Sequence, residues 1–172
     1  MGSGTSRDRF ALPGLAAEQR KMLPYGCQSL DEEDVQAVIE VLRSDLLTTG
    51  PKISEFERAF AEHVGSREAV AVSSGTAALH AAAYAAGIGP GDEVIVPPIT
   101  FAATANCVVF QGGTPVFADV DADTLLLDPS QVEARITART RAIIAVDYAG
   151  QPCDYDALMG IAQRHDLVLI DD

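Results

Sequence analysis

The chain has 172 residues and a formal net charge of -13, and 48% of its residues are hydrophobic. This length and apolar content fit one compact domain, while the acidic excess excludes nucleic acid and anionic membranes as favoured partners. No apolar run is long enough to span a bilayer and no signal-peptide pattern is present, so we expect a cytoplasmic protein. The widely spaced Cys27, Cys107 and Cys153 fit reduced thiols better than a disulfide framework.

Two amphipathic helices are predicted in the first 65 residues. Residues 1–22 have no apolar period and are expected to form a mobile leader. Residues 29–32 have the pattern of a capping box that starts a helix ending near Ser44, and Pro51 starts a second helix that Gly65 ends. We expect each helix to bury one apolar stripe. The stripes consist of Val35, Val38, Ile39 and Leu42 in the first helix and of Phe56, Phe60 and Val64 in the second.

Short apolar runs alternate with helical segments in the rest of the chain. The predicted strands are 69–72, 93–96, 115–120, 142–146 and 167–170, and the predicted helices are 76–86, 102–110, 129–136 and 154–165. Strands that are apolar on both faces and separated by helices predict an α/β fold with a mainly parallel sheet covered by helices. Ligands of such sheets bind at the carboxyl ends of the strands. Polar segments stand at four such ends, at 73–76, 97–101, 147–151 and 171–172.

The segment Ser73–Thr76 combines small and hydroxyl side chains at a predicted strand-to-helix turn. A helix N-terminus has unpaired N–H groups and the positive end of the helix dipole, so a phosphate would fit there. An ordinary N-capped helix is an equally good interpretation of these residues alone. The segment lacks the glycine and lysine spacing of nucleotide-binding loops, so neither a nucleoside triphosphate nor NAD is indicated.

The remaining polar candidates each allow more than one interpretation. Asp171 and Asp172 fit a metal pair, a helix cap or the partner of a cationic ring nitrogen. Phe101 fits a core position better than a ligand platform, and residues 147–151 fit a left-handed turn or a substrate contact. Residues 119–123 resemble the start of a calcium loop, but the required glycine and glutamate are missing, so a turn is predicted. The histidines have no metal-ligand spacing.

Seven segments, in this order, resemble the N-terminal half of the nucleotide-sugar aminotransferases of the DegT/StrS type. They are YGCQSLDEEDV, LTTGPKISEFE, SSGTAALH, PPITFAATAN, TPVFADVDADT, VDYAGQPCD and LVLIDD. Within that family they most resemble enzymes that aminate C4 of a UDP-linked 4-keto-6-deoxy-N-acetylhexosamine, as in the pseudaminic acid pathway. The resemblance implies the aspartate-aminotransferase-like fold (fold type I), with residues 23–172 as the N-terminal part of the large domain, and pyridoxal 5′-phosphate (PLP) as cofactor.

The resemblance also implies roles for individual residues. Thr76 and the backbone N–H of Ala77 match the family's phosphate anchor, and Phe101 matches the aromatic residue that stacks on the pyridine ring. Asp172 matches the carboxylate that pairs with the protonated pyridine nitrogen and so keeps the ring an electron sink. Tyr25 and Gln151 are expected to contact the substrate.

The Schiff-base lysine of the family has no counterpart here, because Lys21 and Lys52, the chain's lysines, lie outside the matching motif. Cys27 replaces an expected basic residue, which puts a contact from that loop in doubt. A chain that stops on a buried strand also indicates truncation. We therefore expect an inactive part of a homodimeric enzyme that transfers an amino group from glutamate to a keto sugar nucleotide. A non-catalytic phosphate-binding or interaction protein, or a PLP-dependent sugar dehydratase with histidine in place of lysine, remains open.

Overall fold

A computed structural model describes residues 28–172, so the predicted leader and Tyr25 lie outside the described residues. The chain divides into two compact units, one ending at Glu55 and the other running from Phe56 to Asp172. The second unit contains most of the second helix and all the helices and strands described after it, and the candidate residues at the strand ends lie there. Along residues 28–172, no helix has the length and apolar character needed to cross a membrane.

Helix α1 spans Glu32–Arg43 and begins at a capping box that differs from the predicted one. Asp31 is the N-cap, its carboxylate accepts the N–H groups of Glu33 and Asp34, and the Asp34 carboxylate accepts the N–H of Asp31. A charged carboxylate is a stronger acceptor than the hydroxyl of Ser29 at the positive end of a helix, which explains the shift. No residue of α1 is buried, so its predicted buried stripe is wrong.

Helix α2 spans Pro51–Val64 and ends as predicted before Gly65, whose φ of +70° suits glycine. Its apolar stripe is likewise largely exposed. Phe56 and Phe60 contact each other with ring centroids 5.9 Å apart, yet both stay about half exposed. Ala61 is the buried residue of this helix. The period of the sequence placed the apolar face correctly, but about half of the surface of Phe56, Phe60 and Val64 stays exposed.

Within residues 28–172, four parallel strands form one sheet, in the order β2-β1-β3-β4. They are β1 (Glu93–Val96), β2 (Thr114–Phe117), β3 (Thr140–Ala145) and β4 (Val168–Asp171). The predicted α/β fold with a parallel sheet is therefore confirmed. The predicted strand at 69–72 is wrong, because this segment is paired with none of the strands among the described residues. The N–H of Ala71 instead donates to a carboxylate oxygen of Glu57 at 2.9 Å.

The two faces of the sheet pack on different helices. Val94, Val96, Ala142 and Ile144 face helices α3 (Gly75–Ala85) and α4 (Ala103–Phe110). Ile95, Ile143 and Ala145 face helices α5 (Pro129–Arg135) and α6 (Tyr155–His165). Alternate residues of β1 and β3 thus enter separate cores, as expected for strands covered on both faces.

The topology defines where a ligand would bind. The chain leaves β1 towards β2 and leaves β3 towards β4, in opposite directions from the centre of the sheet. Doubly wound sheets bind ligands at such a switch point, outside the carboxyl ends of the strands. The loops 97–102 and 146–154 begin there. Because α3 packs on the sheet and reaches β1 through a short turn, its N-terminus lies towards the same edge.

Candidate functional site

The N-terminus of α3 combines a helix cap with open N–H groups. Ser74 is the N-cap, and its hydroxyl oxygen accepts the N–H of Ala77 at 3.2 Å. The N–H groups of Gly75 and Thr76 donate to no residue within 28–172. Thr76 is exposed, so its hydroxyl adds a third donor. The Ser74 side chain therefore bonds the Ala77 N–H, which the resemblance assigned to a phosphate. The N–H groups of Gly75 and Thr76 remain open to an anion.

Phe101 lies in the loop between β1 and α4 and is 78% exposed. Its carbonyl accepts the N–H of Thr104 at 3.1 Å, so its backbone is tied to the start of α4. The interpretation of Phe101 as a core residue is wrong. The ring is instead an exposed aromatic surface beside the carboxyl ends of the strands, where a planar ligand can stack.

Asp172 directly follows β4 and is held by both backbone and side chain. Its N–H donates to the carbonyl of Ala145 at 2.9 Å, which extends the β3–β4 pairing by one residue. Its carboxylate accepts a hydrogen bond from the hydroxyl of Thr104. Thr104 is completely buried, and its hydroxyl also bonds that of Thr100 at 2.7 Å. The strand and α4 together orient the Asp172 carboxylate.

Thr104 is the site residue that sequence reasoning missed. It lies on the buried face of α4 with Ala103, Cys107 and Val108, and it is the polar side chain of that face. A hydroxyl on an otherwise apolar buried stripe needs a hydrogen-bond partner. The sequence pattern therefore indicated that Thr104 has a buried hydrogen-bond partner. It did not identify that partner, Asp172, which lies 68 positions further along the chain.

The charge of Asp172 has no cationic partner within the described part of the chain. The ion pairs there join Lys52 to Glu55, Arg139 to Glu93, and Arg164 and His165 to Glu133. Burial raises the pKa of the Cys107 thiol, and the negative charge of Asp172 raises it further. The edge of the sheet therefore has an oriented negative charge with the chemistry to pair with a cationic group.

The loop after β3 has the left-handed turn that was one of its two interpretations. Residues Tyr148–Gly150 form a 3₁₀ turn in which Ala149 and Gly150 have φ values of +57° and +81°. Gln151 follows and is exposed. The turn places Gln151 in the loop that begins at the switch point, and a substrate contact by Gln151 stays a prediction.

The other candidates are not metal sites in the described structure. Asp121 forms a turn as predicted, since its carboxylate accepts the N–H groups of Asp123 and Thr124 at 3.0 and 2.9 Å. These bonds lower its pKa. Within residues 28–172, no group of three or more histidine, cysteine or acidic residues is arranged to hold a metal ion. Asp171 bonds the hydroxyl of Tyr155, and Lys52 bonds Glu55.

The geometry defines a class of protein: an α/β protein with open N–H groups at a helix N-terminus, an exposed aromatic ring and an oriented carboxylate towards one end of a parallel sheet. The sequence profile of the DegT/DnrJ/EryC1/StrS aminotransferase family matches residues 28–172. The chain therefore belongs to this family.

Relatives and solved structures agree with the family match. The chain is 48% identical over 158 residues to the spore coat polysaccharide biosynthesis protein SpsC of Bacillus subtilis (strain 168), covering 92% of this chain and 41% of SpsC. An aminotransferase from Psychrobacter cryohalolentis is similar with a TM-score of 0.80 and 43% identity, covering 84% of this chain and 37% of the other. The sugar aminotransferase Spr1654 from Streptococcus pneumoniae, in its PLP form, is similar with a TM-score of 0.80 and 34% identity. The match covers 87% of this chain and 42% of Spr1654. The chain thus spans about two fifths of the length of these relatives.

Proposed function

We propose that the whole protein is a PLP-dependent aminotransferase that acts on a keto sugar nucleotide. Membership in the aminotransferase family supports the reaction type. The similarity to Spr1654 in its PLP form supports the cofactor, and the similarity to SpsC supports a sugar substrate. The structural observation that carries the proposal is the carboxylate of Asp172, held by the buried hydroxyl of Thr104 and lacking an ion pair within residues 28–172.

The described residues fit the chemistry of PLP. Its phosphate needs N–H and hydroxyl donors, which Gly75 and Thr76 offer at the N-terminus of α3. Its aromatic ring needs a stacking surface, which the exposed ring of Phe101 offers. Its ring nitrogen, when protonated, needs an anion, which Asp172 offers.

When bound, PLP supplies an electron sink for the carbanion formed as the Cα–H bond of an amino acid breaks. In the proposed site, Asp172 stabilises the protonated ring nitrogen, because an opposite charge raises the affinity of that nitrogen for its proton. Thr104 keeps the carboxylate oriented through a hydrogen bond that needs no rearrangement during the reaction. The donors of α3 bind the phosphate, and Phe101 excludes water from one face of the ring.

The finer assignment rests on the motifs of the sequence. We propose glutamate as the amino donor and C4 of a UDP-linked 4-keto-6-deoxy-N-acetylhexosamine as the acceptor, in a homodimer. We assign the Schiff-base lysine to no residue of this chain. Lys52 is exposed and paired with Glu55 at 2.8 Å, and Lys21 lies outside the described residues. The 172-residue chain is accordingly expected to be inactive in transamination by itself.

The test uses the whole gene product and the visible absorption of bound PLP. Glutamate is expected to abolish that absorption, and the keto sugar nucleotide is expected to restore it, as a ping-pong amino transfer requires. Absorption that responds to neither compound contradicts the proposal. The same assay with the 172-residue chain should show no exchange, and turnover at the rate of the whole protein would contradict the assignment of the lysine.

The variant Thr76→Val tests the phosphate site. Loss of one hydroxyl bond to a charged phosphate is expected to weaken PLP binding about tenfold. The rate at saturating PLP should change much less, because the phosphate anchors the cofactor and takes no part in the amino transfer. Thr76→Ser keeps the hydroxyl and is the matched control. Equal PLP affinity in wild type and Thr76→Val would remove Thr76 from the site.

A further inference from the structure

The hydroxyl of Tyr155 lies between two carboxylates at the carboxyl edge of the sheet. It is 2.8 Å from Oδ1 of Asp147 and 2.5 Å from Oδ1 of Asp171. Asp147 lies two residues beyond β3, Asp171 is the last residue of β4, and Tyr155 is the first residue of α6. One side chain therefore joins the ends of two neighbouring strands to the start of a helix.

Asp147 also holds both ends of the loop that follows β3. Its carboxylate Oδ1 accepts the N–H of Cys153 at 2.9 Å, and its own N–H donates to the carbonyl of Asp172 at 3.4 Å. Between these contacts lie the left-handed turn and the exposed Gln151. The position of the loop relative to Asp172 thus depends on how firmly Asp147 is held.

The hydroxyl of Tyr155 keeps its proton under ordinary conditions. Burial raises its pKa, and the hydrogen bonds to Asp171 and Asp147 raise it further. The hydroxyl has one proton, which it shares between the two carboxylates or donates to one of them at a time. A bond from a neutral hydroxyl to a carboxylate is charge-assisted and stronger than a bond between neutral groups. The contact therefore has the strength to hold a loop whose tip is otherwise exposed.

We propose that Tyr155 is a positioning residue of the amino-transfer site, whose hydroxyl joins Asp147 to Asp171 and so holds the Gln151 loop against the strand end that carries Asp172. This inference rests on the proposed function and adds to it a determinant of sugar binding. The loop starts at the switch point of the sheet, where a substrate of this fold binds. Tyr155 itself acts through Asp147 and contacts neither cofactor nor substrate in this scheme.

The scheme separates sugar binding from the chemical step. The bonds of Asp172 to Thr104 and to the carbonyl of Ala145 do not involve the Tyr155 hydroxyl, so we expect them to persist when it is removed. The glutamate half of the reaction should therefore be nearly unaffected. The loop loses a charge-assisted bond, so the KM for the keto sugar nucleotide is expected to rise about tenfold.

The experiment compares Tyr155→Phe with wild type in the whole protein, using glutamate and UDP-4-keto-6-deoxy-N-acetylhexosamine. The expected result is a raised sugar KM with kcat and glutamate KM changed less than about threefold, as for loss of ground-state binding. Tyr84→Phe is the matched control, because Tyr84 is 76% exposed and its hydroxyl bonds no residue within 28–172. An unchanged sugar KM, a fall in kcat alone, or an equal rise in Tyr84→Phe would overturn the inference.

A second variant protects the test against misfolding. Asp171→Asn keeps the size of the side chain but removes the charge that strengthens the bond to Tyr155, so a smaller rise in sugar KM is expected. If Tyr155→Phe fails to fold, an unchanged KM in Asp171→Asn overturns the inference. A wild-type protein that exchanges no amino group contradicts the proposed function itself, whereas an active wild type with unaltered variants contradicts the role of Tyr155 alone.

Discussion

Two carboxylates at opposite ends of the strands of the same sheet are held by different kinds of partner. Glu93, at the amino end of β1, is 8% exposed and bonds both the hydroxyl of Thr137 and the guanidinium of Arg139. Asp172, beyond the carboxyl end of β4, bonds the hydroxyl of Thr104 and forms no ion pair with a described residue. A carboxylate with its own cation stabilises the fold. One that is oriented by a hydroxyl keeps its charge available for a cationic ligand.

The largest effect is expected from removing the charge of Asp172. Asp172→Asn in the whole protein should retain PLP, since the phosphate donors remain, but should lower kcat about a hundredfold or more because a preorganised charge is lost. Steady-state kinetics at saturating PLP measure this. The matched comparison is Glu93→Gln, which should change kcat less than about threefold. If both variants kept the wild-type rate, the proposed catalytic role of the Asp172 charge would be wrong.

A smaller effect is expected from the hydroxyl that orients Asp172. Thr104→Val keeps the size of the buried side chain but removes the hydrogen bond, so kcat should fall about tenfold. Thr104→Ser retains the hydroxyl and should stay within about threefold of wild type. Comparable rates for the valine and serine variants would mean that backbone pairing alone orients Asp172.

The smallest effect on activity, and a clear one on stability, is expected at Glu93. The hydroxyl of Thr137 and then the guanidinium of Arg139 hold the pKa of Glu93 below its ordinary value, which is about 4.3. The stabilisation is therefore complete above that ordinary value and is lost as the pH falls through the lower pKa of the folded state.

Thermal melts of wild type and Glu93→Gln at a series of pH values test this linkage. The variant should melt at a lower temperature at neutral pH, and the two curves should converge as the pH falls below about 4. A gap that stays constant down to acid pH would show that the charge of Glu93 is not the source of its contribution.

Helices α1 and α2 show what an apolar sequence pattern predicts and what it does not predict. The apolar period predicted both helices, because the period depends on residues three and four positions apart. Burial of those faces was not borne out: Val38 is 59% exposed and Phe56 58% exposed. The apolar segment 69–72 gives the same lesson, since Val70 is 80% exposed. A pattern defines an apolar face or a strand-like segment but does not supply its partner.

The sequence by itself determined most of the local elements of this protein and its family, segment 69–72 excepted. Strand β1 and the end of α6 at His165 match the predictions, because capping and periodicity act over a few residues. Only the tertiary structure decided that Thr104 bonds Asp172 and that Tyr155 joins Asp147 to Asp171. The physical reason is that these contacts depend on the order of the strands, which brings together side chains that no local pattern relates.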